Sequence, residues 1–177
     1  MQNEQPEILF TTEEVEREVA RLAREISDDY RGRRPLLVGI LKGSFVFLAD
    51  LIRTMDIPVE VDFVILSSYG PGTESSGEVR VVHGLEQSIE GRDVIVVEDI
   101  VDSGITISHF LDDLRARDPA SLKLCVLVDK TARREKEIRI DYKGVEVSDE
   151  FVVGYGIDCN EQYRYLPDIR FVKTGEE

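Results

Sequence analysis

Residues 94–107 read VIVVEDIVDSGITI. Four apolar residues run straight into Glu98 and Asp99, and Asp102, Ser103, Gly104, Ile105 and Thr106 follow. A continuous β-branched run, rather than an alternating one, marks a strand covered on both faces, as in a parallel sheet wrapped by helices. In open α/β sheets the ligand lies outside the carboxyl ends of the strands. The sequence therefore predicts that the strand ends at the acidic pair, and that Glu98, Asp99 and Asp102 stand where a ligand would bind.

The 177 residues can bury one proper core but not two comfortable ones, so residues 1–177 are expected to form a single domain. With 42% hydrophobic and 33% charged residues, the composition is that of a soluble globular protein and excludes both disorder and membrane spanning. The start MQNEQPEILF has neither the basic segment nor the cleavage site of a secretory signal, which points to the cytoplasm. Cys125 lies in the apolar run LKLCVLV and Cys159 in a loop; two such residues make no disulfide framework, and no Cys/His spacing suggests zinc. A formal charge of −14 disfavours a nucleic-acid partner. It leaves room for a small anionic ligand, because a local Lys or Arg with a metal ion can reverse the field inside a cleft.

Around the opening stretch, strands alternate with helices. Thr11 and Glu14 have capping-box spacing, and Val15, Val19, Leu22 and Ile26 recur at helical intervals. LLVGIL reads as a buried strand, Lys42-Gly43-Ser44 as a loop and FVFLADLIRTM as a helix. VEVDFVIL alternates over Val59, Val61 and Phe63 before the polar tract SSYGPGTESSGE, which reads as a mobile loop or lid. VRVV, LKLCVLV, FVVGYGID and IRFVK read as further strands, and ITISHFLDDLRARD as a helix. The pattern implies an α/β sandwich with a mostly parallel sheet and an antiparallel hairpin at one edge around residues 59–82.

In Asp102 to Thr106, hydroxyls, a glycine and free helical N–H groups together make an anion pocket suited to a terminal phosphate. Glu98 and Asp99 would repel that phosphate, so they must face hydrogen-bond donors or positive charge. A ribose diol with Mg²⁺ meets both needs. The plainer alternative is an acidic loop with a helix cap.

The stretch resembles the phosphoribosyl-diphosphate signature of the type I phosphoribosyltransferases. LKGS at Leu41 to Ser44 resembles that family's pyrophosphate loop, and SSYGPGTESSGEV its flexible catalytic loop. VDK ending at Lys130, with FVVGYGIDCNEQYR, resembles the base-binding segment of the hypoxanthine/guanine branch. Four motifs in order over residues 36–172 identify the chain as a member of that branch. The implied fold is the type I phosphoribosyltransferase-like α/β fold, a mostly parallel central sheet flanked by helices, with a flexible hairpin loop and a small base-binding hood.

The resemblance implies Mg²⁺-dependent transfer of phosphoribosyl from phosphoribosyl diphosphate to hypoxanthine or guanine, giving IMP or GMP and pyrophosphate, by a homo-oligomer, dimer or tetramer, with no nucleic-acid or membrane partner. It implies that Lys42, Gly43, Ser44 and Arg164 contact the pyrophosphate. Glu98 and Asp99 would hold the ribose hydroxyls and metal, with Asp158 a second metal contact that also borders the purine. Asp102, Ser103, Gly104, Ile105 and Thr106 would bind the 5-phosphate. Asp102 would take the proton from purine N7, Lys130 would donate to O6, Phe151 would stack on the base and the Val152 backbone would meet its edge. Tyr69 would be a further catalytic residue in the loop. Outside the resemblance, Asp102 is a helix cap, Lys130 a solvated lysine, Phe151 and Val152 core strand residues, and Tyr69 an exposed aromatic. A non-proline cis peptide occurs in the LKGS loop of relatives, and Cys159 stands where relatives more often have an aromatic residue. Two rival readings share the fold: a regulatory RNA- or nucleotide-binding protein, and a xanthine-preferring transferase.

Overall fold

The computed structural model describes residues 6–68 and 79–172. In chain order these form β1 (Glu7–Phe10), α1 (Thr12–Asp29), β2 (Leu36–Leu41), α2 (Phe45–Thr54), β3 (Glu60–Ser68), β4 (Val79–His83) and β5 (Asp93–Val101). Then come α3 (Ile105–Arg115), β6 (Ser121–Lys130), β7 (Tyr142–Val147), β8 (Phe151–Val153) and β9 (Ile169–Val172). Six strands make one sheet in the order β4-β3-β2-β5-β6-β7, and β1-β9-β8 make a second, smaller one. All pairs of the large sheet are parallel except β3 with β4, the hairpin at its edge.

The strand order reverses between β2 and β5: the chain leaves β2 for β3 on one side and β5 for β6 on the other. That switch point opens a crevice at the carboxyl ends of the two strands, where α/β sheets bind ligands. LKGS follows β2 and DSGIT follows β5, so topology alone brings both segments to it.

β5 explains its own apolar run. Ile95 and Val97 pack in the core on the α1 and α2 side, while Val94 and Val96 pack on the α3 side, and all four are fully buried. Burying each such side chain stabilises the fold by about 1.5–3 kcal/mol. The strand does not stop at the acidic pair, as the sequence suggested. It stays registered with β6 through Glu98↔Val126, Ile100↔Val128 and Val101↔Asp129. β6 supplies the backbone partners there, so the turn begins only at Asp102.

α1 begins with both halves of a capping box: Thr11 Oγ1 accepts from Glu14 N at 3.3 Å, and Thr11 N donates to Glu14 Oε2 at 2.9 Å. Val15, Val19, Leu22 and Ile26 form its buried face. The same core includes Val152, Tyr155, Ile157 and Ile169, so the small sheet is welded to the large one. Sequence reading missed β1 and β7 and overextended FVVGYGID, of which Phe151–Val153 alone is strand. The alternation over β3 also points the other way: Val61, Phe63 and Ile65 are over a third exposed, and Val64 is buried. Among the described residues no helix is long and apolar enough to cross a membrane.

Candidate active site

Four segments meet at the switch point. The first is the LKGS loop, entered through a cis Leu41–Lys42 peptide. Gly43 lies so close to the Asp99 carboxylate that any Cβ there would collide with it, and the Gly43 carbonyl in turn packs against Gly156. This ties the loop both to the end of β5 and to the hood. The Ser44 hydroxyl is not offered to a ligand, contrary to expectation: Ser44 is fully buried and donates to the Ile40 carbonyl at 2.8 Å. What the loop presents is Lys42 and the backbone around Gly43.

Lys42 Nζ pairs with Glu161 Oε1 at 2.9 Å. The other Glu161 oxygen lies 3.4 Å from Arg164, which also binds Asp158 at 2.8 Å and donates to the Gly156 carbonyl at 2.8 Å. The two cations expected to meet pyrophosphate are thus joined through Glu161, a residue the sequence reading passed over. Contact with Lys42, and secondarily with Arg164, holds the Glu161 carboxyl below its ordinary range.

At the end of β5, Asp99 is 8% exposed and its N–H donates to Glu98 Oε1 at 3.2 Å. Burial, reinforced by the adjacent Asp99 charge, pushes the Glu98 carboxyl well above its ordinary value. Neither acid has a basic ion-pair partner among the described residues. Two crowded carboxylates without a counter-charge fit a cation bound mainly through waters and substrate oxygens, as Mg²⁺ prefers. Asp158 does not complete a cage with them: among the described residues no three His, Cys, Asp or Glu side chains surround a metal-sized space. Asp158 instead orients Arg164 and accepts from Glu161 N at 2.8 Å.

The third segment is the turn into α3. Gly104 has φ +81°, a left-handed conformation that glycine takes without steric cost, and α3 starts at the next residue. Ser103 Oγ accepts from Ile105 N at 3.4 Å, and no side chain caps the helix at Gly104. Ile105 and Thr106 are half-buried in the first turn, where free N–H groups favour an anion.

The fourth segment, from β6 to the hood, brings Lys130 and Asp102 together. Lys130 is 3% exposed, and its Nζ lies 3.8 Å from both Asp102 Oδ2 and Asp149 Oδ1. A lysine this buried needs such partners, so it is not the solvated side chain that its sequence position alone allowed. Phe151, two residues beyond Asp149, is 41% exposed, whereas the Val152 side chain is buried in the core. Tyr69 and most of the expected lid lie outside the described residues.

Residues 6–160 match the phosphoribosyl transferase domain family. The bifunctional protein TilS/HprT of Listeria monocytogenes serotype 4b (strain F2365) is 47% identical over 173 residues, 98% of this chain. The chain spans only 27% of that relative's length. The hypoxanthine-guanine phosphoribosyltransferase of Bacillus subtilis (strain 168) is 43% identical over 173 residues, covering 98% of this chain and 96% of its own. The crystal structure of a hypoxanthine-guanine phosphoribosyltransferase from Bacillus anthracis superposes with a TM-score of 0.89 at 44% identity, covering 94% of this chain and 98% of the other.

Proposed function

The chain belongs to the phosphoribosyl transferase domain family, and from that premise we propose that it is a purine-salvage enzyme of the cytoplasm. It transfers the phosphoribosyl group of phosphoribosyl diphosphate to hypoxanthine or guanine, forming IMP or GMP and pyrophosphate. The observation that carries this reading is the 3.8 Å approach of Asp102 and Lys130. O6 and N7 are neighbours on one edge of a 6-oxopurine, and an acceptor beside a donor matches the protonated N7 and the carbonyl O6. As N9 bonds to the anomeric carbon and the bond to pyrophosphate breaks, Asp102 takes the N7 proton, and Lys130 stabilises the charge left on O6. Phe151 offers its exposed ring to the base, with the Val152 backbone at its edge.

The rest of the site answers the substrate's charges. Lys42, Gly43 and Arg164 face the pyrophosphate, and the peptides and hydroxyls from Asp102 to Thr106 the 5-phosphate. Glu98 and Asp99 would hold the ribose hydroxyls and Mg²⁺, while Asp158 holds Arg164 in place. When bound, the metal supplies electrostatic stabilisation of the leaving group. Residues 1–177 act as one phosphoribosyltransferase domain, a reading supported by the core shared between hood and main sheet. Free thiols at Cys125 and Cys159 suit a reducing compartment.

The test is a spectrophotometric assay with phosphoribosyl diphosphate, Mg²⁺ and each base in turn. Hypoxanthine and guanine should turn over, with adenine and uracil essentially unused; preferential use of uracil or xanthine, or nucleotide binding without turnover, overturns the assignment. Lys130→Gln removes a charged donor worth about 1.5–3 kcal/mol, so hypoxanthine kcat/KM should fall by one to two powers of ten. The hypoxanthine-to-adenine ratio should shrink with it, because a glutamine amide can present either a donor or its carbonyl. An unchanged ratio removes Lys130 from the base.

A homo-oligomer is supported by an apolar face. Phe45 (45%), Val61 (38%), Phe63 (36%), Ile65 (37%) and Val82 (59%) are exposed. The first four share the α2 side of the sheet edge, where Gly39 touches both Leu48 and Phe63. Val82 alternates with Val81, which packs into the core on the α3 side. Exposed apolar residues on one face favour an interface, and a two-fold axis through β3 would cover them with a second copy. Phe63→Asp should convert the assembly to a smaller species by light scattering after gel filtration; a wild type that is already monomeric refutes the interface.

A further inference from the structure

The peptides expected to receive the 5-phosphate are held from behind by residues 134–136. Arg134 Nε donates to the Asp102 carbonyl at 3.1 Å, and the backbone N–H groups of Glu135 and Lys136 both donate to the Ser103 carbonyl at 3.0 Å. In a planar trans peptide the C=O and N–H point in opposite directions. Fixing the Asp102 and Ser103 carbonyls toward residues 134–136 therefore aims the Ser103 and Gly104 N–H groups the other way. Successive N–H groups directed to one side form an anion-binding concavity. The packing is tight: a Cβ on Gly104 would stand 2.7 Å from the Lys136 carbonyl and 3.1 Å from Arg134 Cδ.

Arg134 is anchored in turn. Its guanidinium pairs with Asp129, a carboxylate 7% exposed that immediately precedes Lys130 and also lies 3.6 Å from Lys143. One side chain, itself 17% exposed, thus spans the end of β6 and the turn after β5. The geometry points to Arg134 as a positioning residue for the phosphate-binding peptides: by holding the Asp102 carbonyl it orients the N–H groups that take the 5-phosphate. This role rests on the phosphoribosyl-transfer reading. Arg134 contacts the Asp102 carbonyl and Asp129, so its effect is confined to ligands that carry the 5-phosphate.

The test compares binding of IMP, inosine and Mg²⁺-pyrophosphate to the full chain by calorimetry. Arg134→Met should weaken IMP about tenfold, the worth of one charge-assisted hydrogen bond, and leave inosine and pyrophosphate within twofold of wild type. Arg134→Lys, which keeps the charge beside Asp129 but cannot span both partners, should lose IMP affinity in the same way while retaining the wild-type melting temperature. If Arg134→Met fails to fold because Asp129 is left short of charge, Arg134→Met combined with Asp129→Asn carries the same comparison. IMP affinity unchanged in the folded variants, or an equal loss for all three ligands, overturns the positioning role. Failure of the wild type to bind IMP more tightly than inosine sinks the phosphoribosyl reading itself, and Thr106→Ala, expected to weaken IMP, separates the two failures.

Discussion

Asp102→Asn should lower kcat by about a hundredfold to ten-thousandfold, the usual range for loss of a general base, and leave the KM for phosphoribosyl diphosphate nearly intact. Asparagine keeps the size of the side chain and an oxygen facing Lys130, which lies 3.8 Å from the Asp102 carboxylate, but it cannot take a proton. On the proposed reading the phosphate-side contacts of residue 102 go through its backbone, whose carbonyl accepts from Arg134 at 3.1 Å, so the substitution should leave them in place. Steady-state kinetics with hypoxanthine varied at saturating phosphoribosyl diphosphate give the answer. A variant within threefold of wild type means that the N7 proton leaves by another route. A parallel rise in the KM for phosphoribosyl diphosphate means that Asp102 belongs to the phosphate loop alone.

Chelation of divalent metal should abolish turnover, and added Mg²⁺ should restore it. The same pair of acids yields a readout that needs no catalysis. Glu98 is raised by burial and by Asp99, so the folded state binds its proton more tightly than the unfolded state does. Stability is therefore lost as pH rises from the ordinary carboxylate range through the raised native value, and the penalty persists above it. Glu98→Gln does not titrate. In chelator at neutral pH the variant should melt at a higher temperature than wild type, and the gap should close near about pH 4, where the unfolded carboxyl also holds its proton. Mg²⁺ should raise the melting temperature of wild type more than that of the variant. Full activity in metal-free buffer, or a variant no more stable than wild type in chelator, contradicts the assignment of this pair to a cation.

The parts of this architecture that were legible in the sequence are those whose causes are local. The run from Val94 to Val97 advertises two-sided burial, the Thr11 to Glu14 box a helix start, and the DSGIT turn a helix end free to take an anion. β7 was not legible because its edge position leaves YKGVEV with mixed burial and no periodic signal. β1 is short and half-exposed, and gains its identity only by pairing with β9. Ser44 looked like a ligand-binding hydroxyl because sequence shows the residue type but not its direction, and Ile40 claims it. Glu161 and Arg134 escaped notice for the same reason: their partners, Lys42 and Asp102, lie far away along the chain and are brought near only by the crossovers. The apolar alternation of β3 was visible, but whether it faced a helix or open sheet depended on where α2 ends.

The small sheet joins the first described strand to the last, with Glu7 opposite Phe171 and Phe151 opposite Val172. During vectorial synthesis β2 through β7 can pair as they emerge, since each neighbour across the large sheet is supplied before residue 148. The hood has no such option, because β9 lies between β1 and β8 and is made after both. Its closure is the strand pairing of greatest sequence separation among the described residues, and the loop entropy it must overcome favours its forming late. On the proposed reading, a nascent chain would then hold the turn that takes the 5-phosphate before it holds Phe151 and Arg164, so one end of the ligand would find its contacts before the purine ring and the pyrophosphate find theirs.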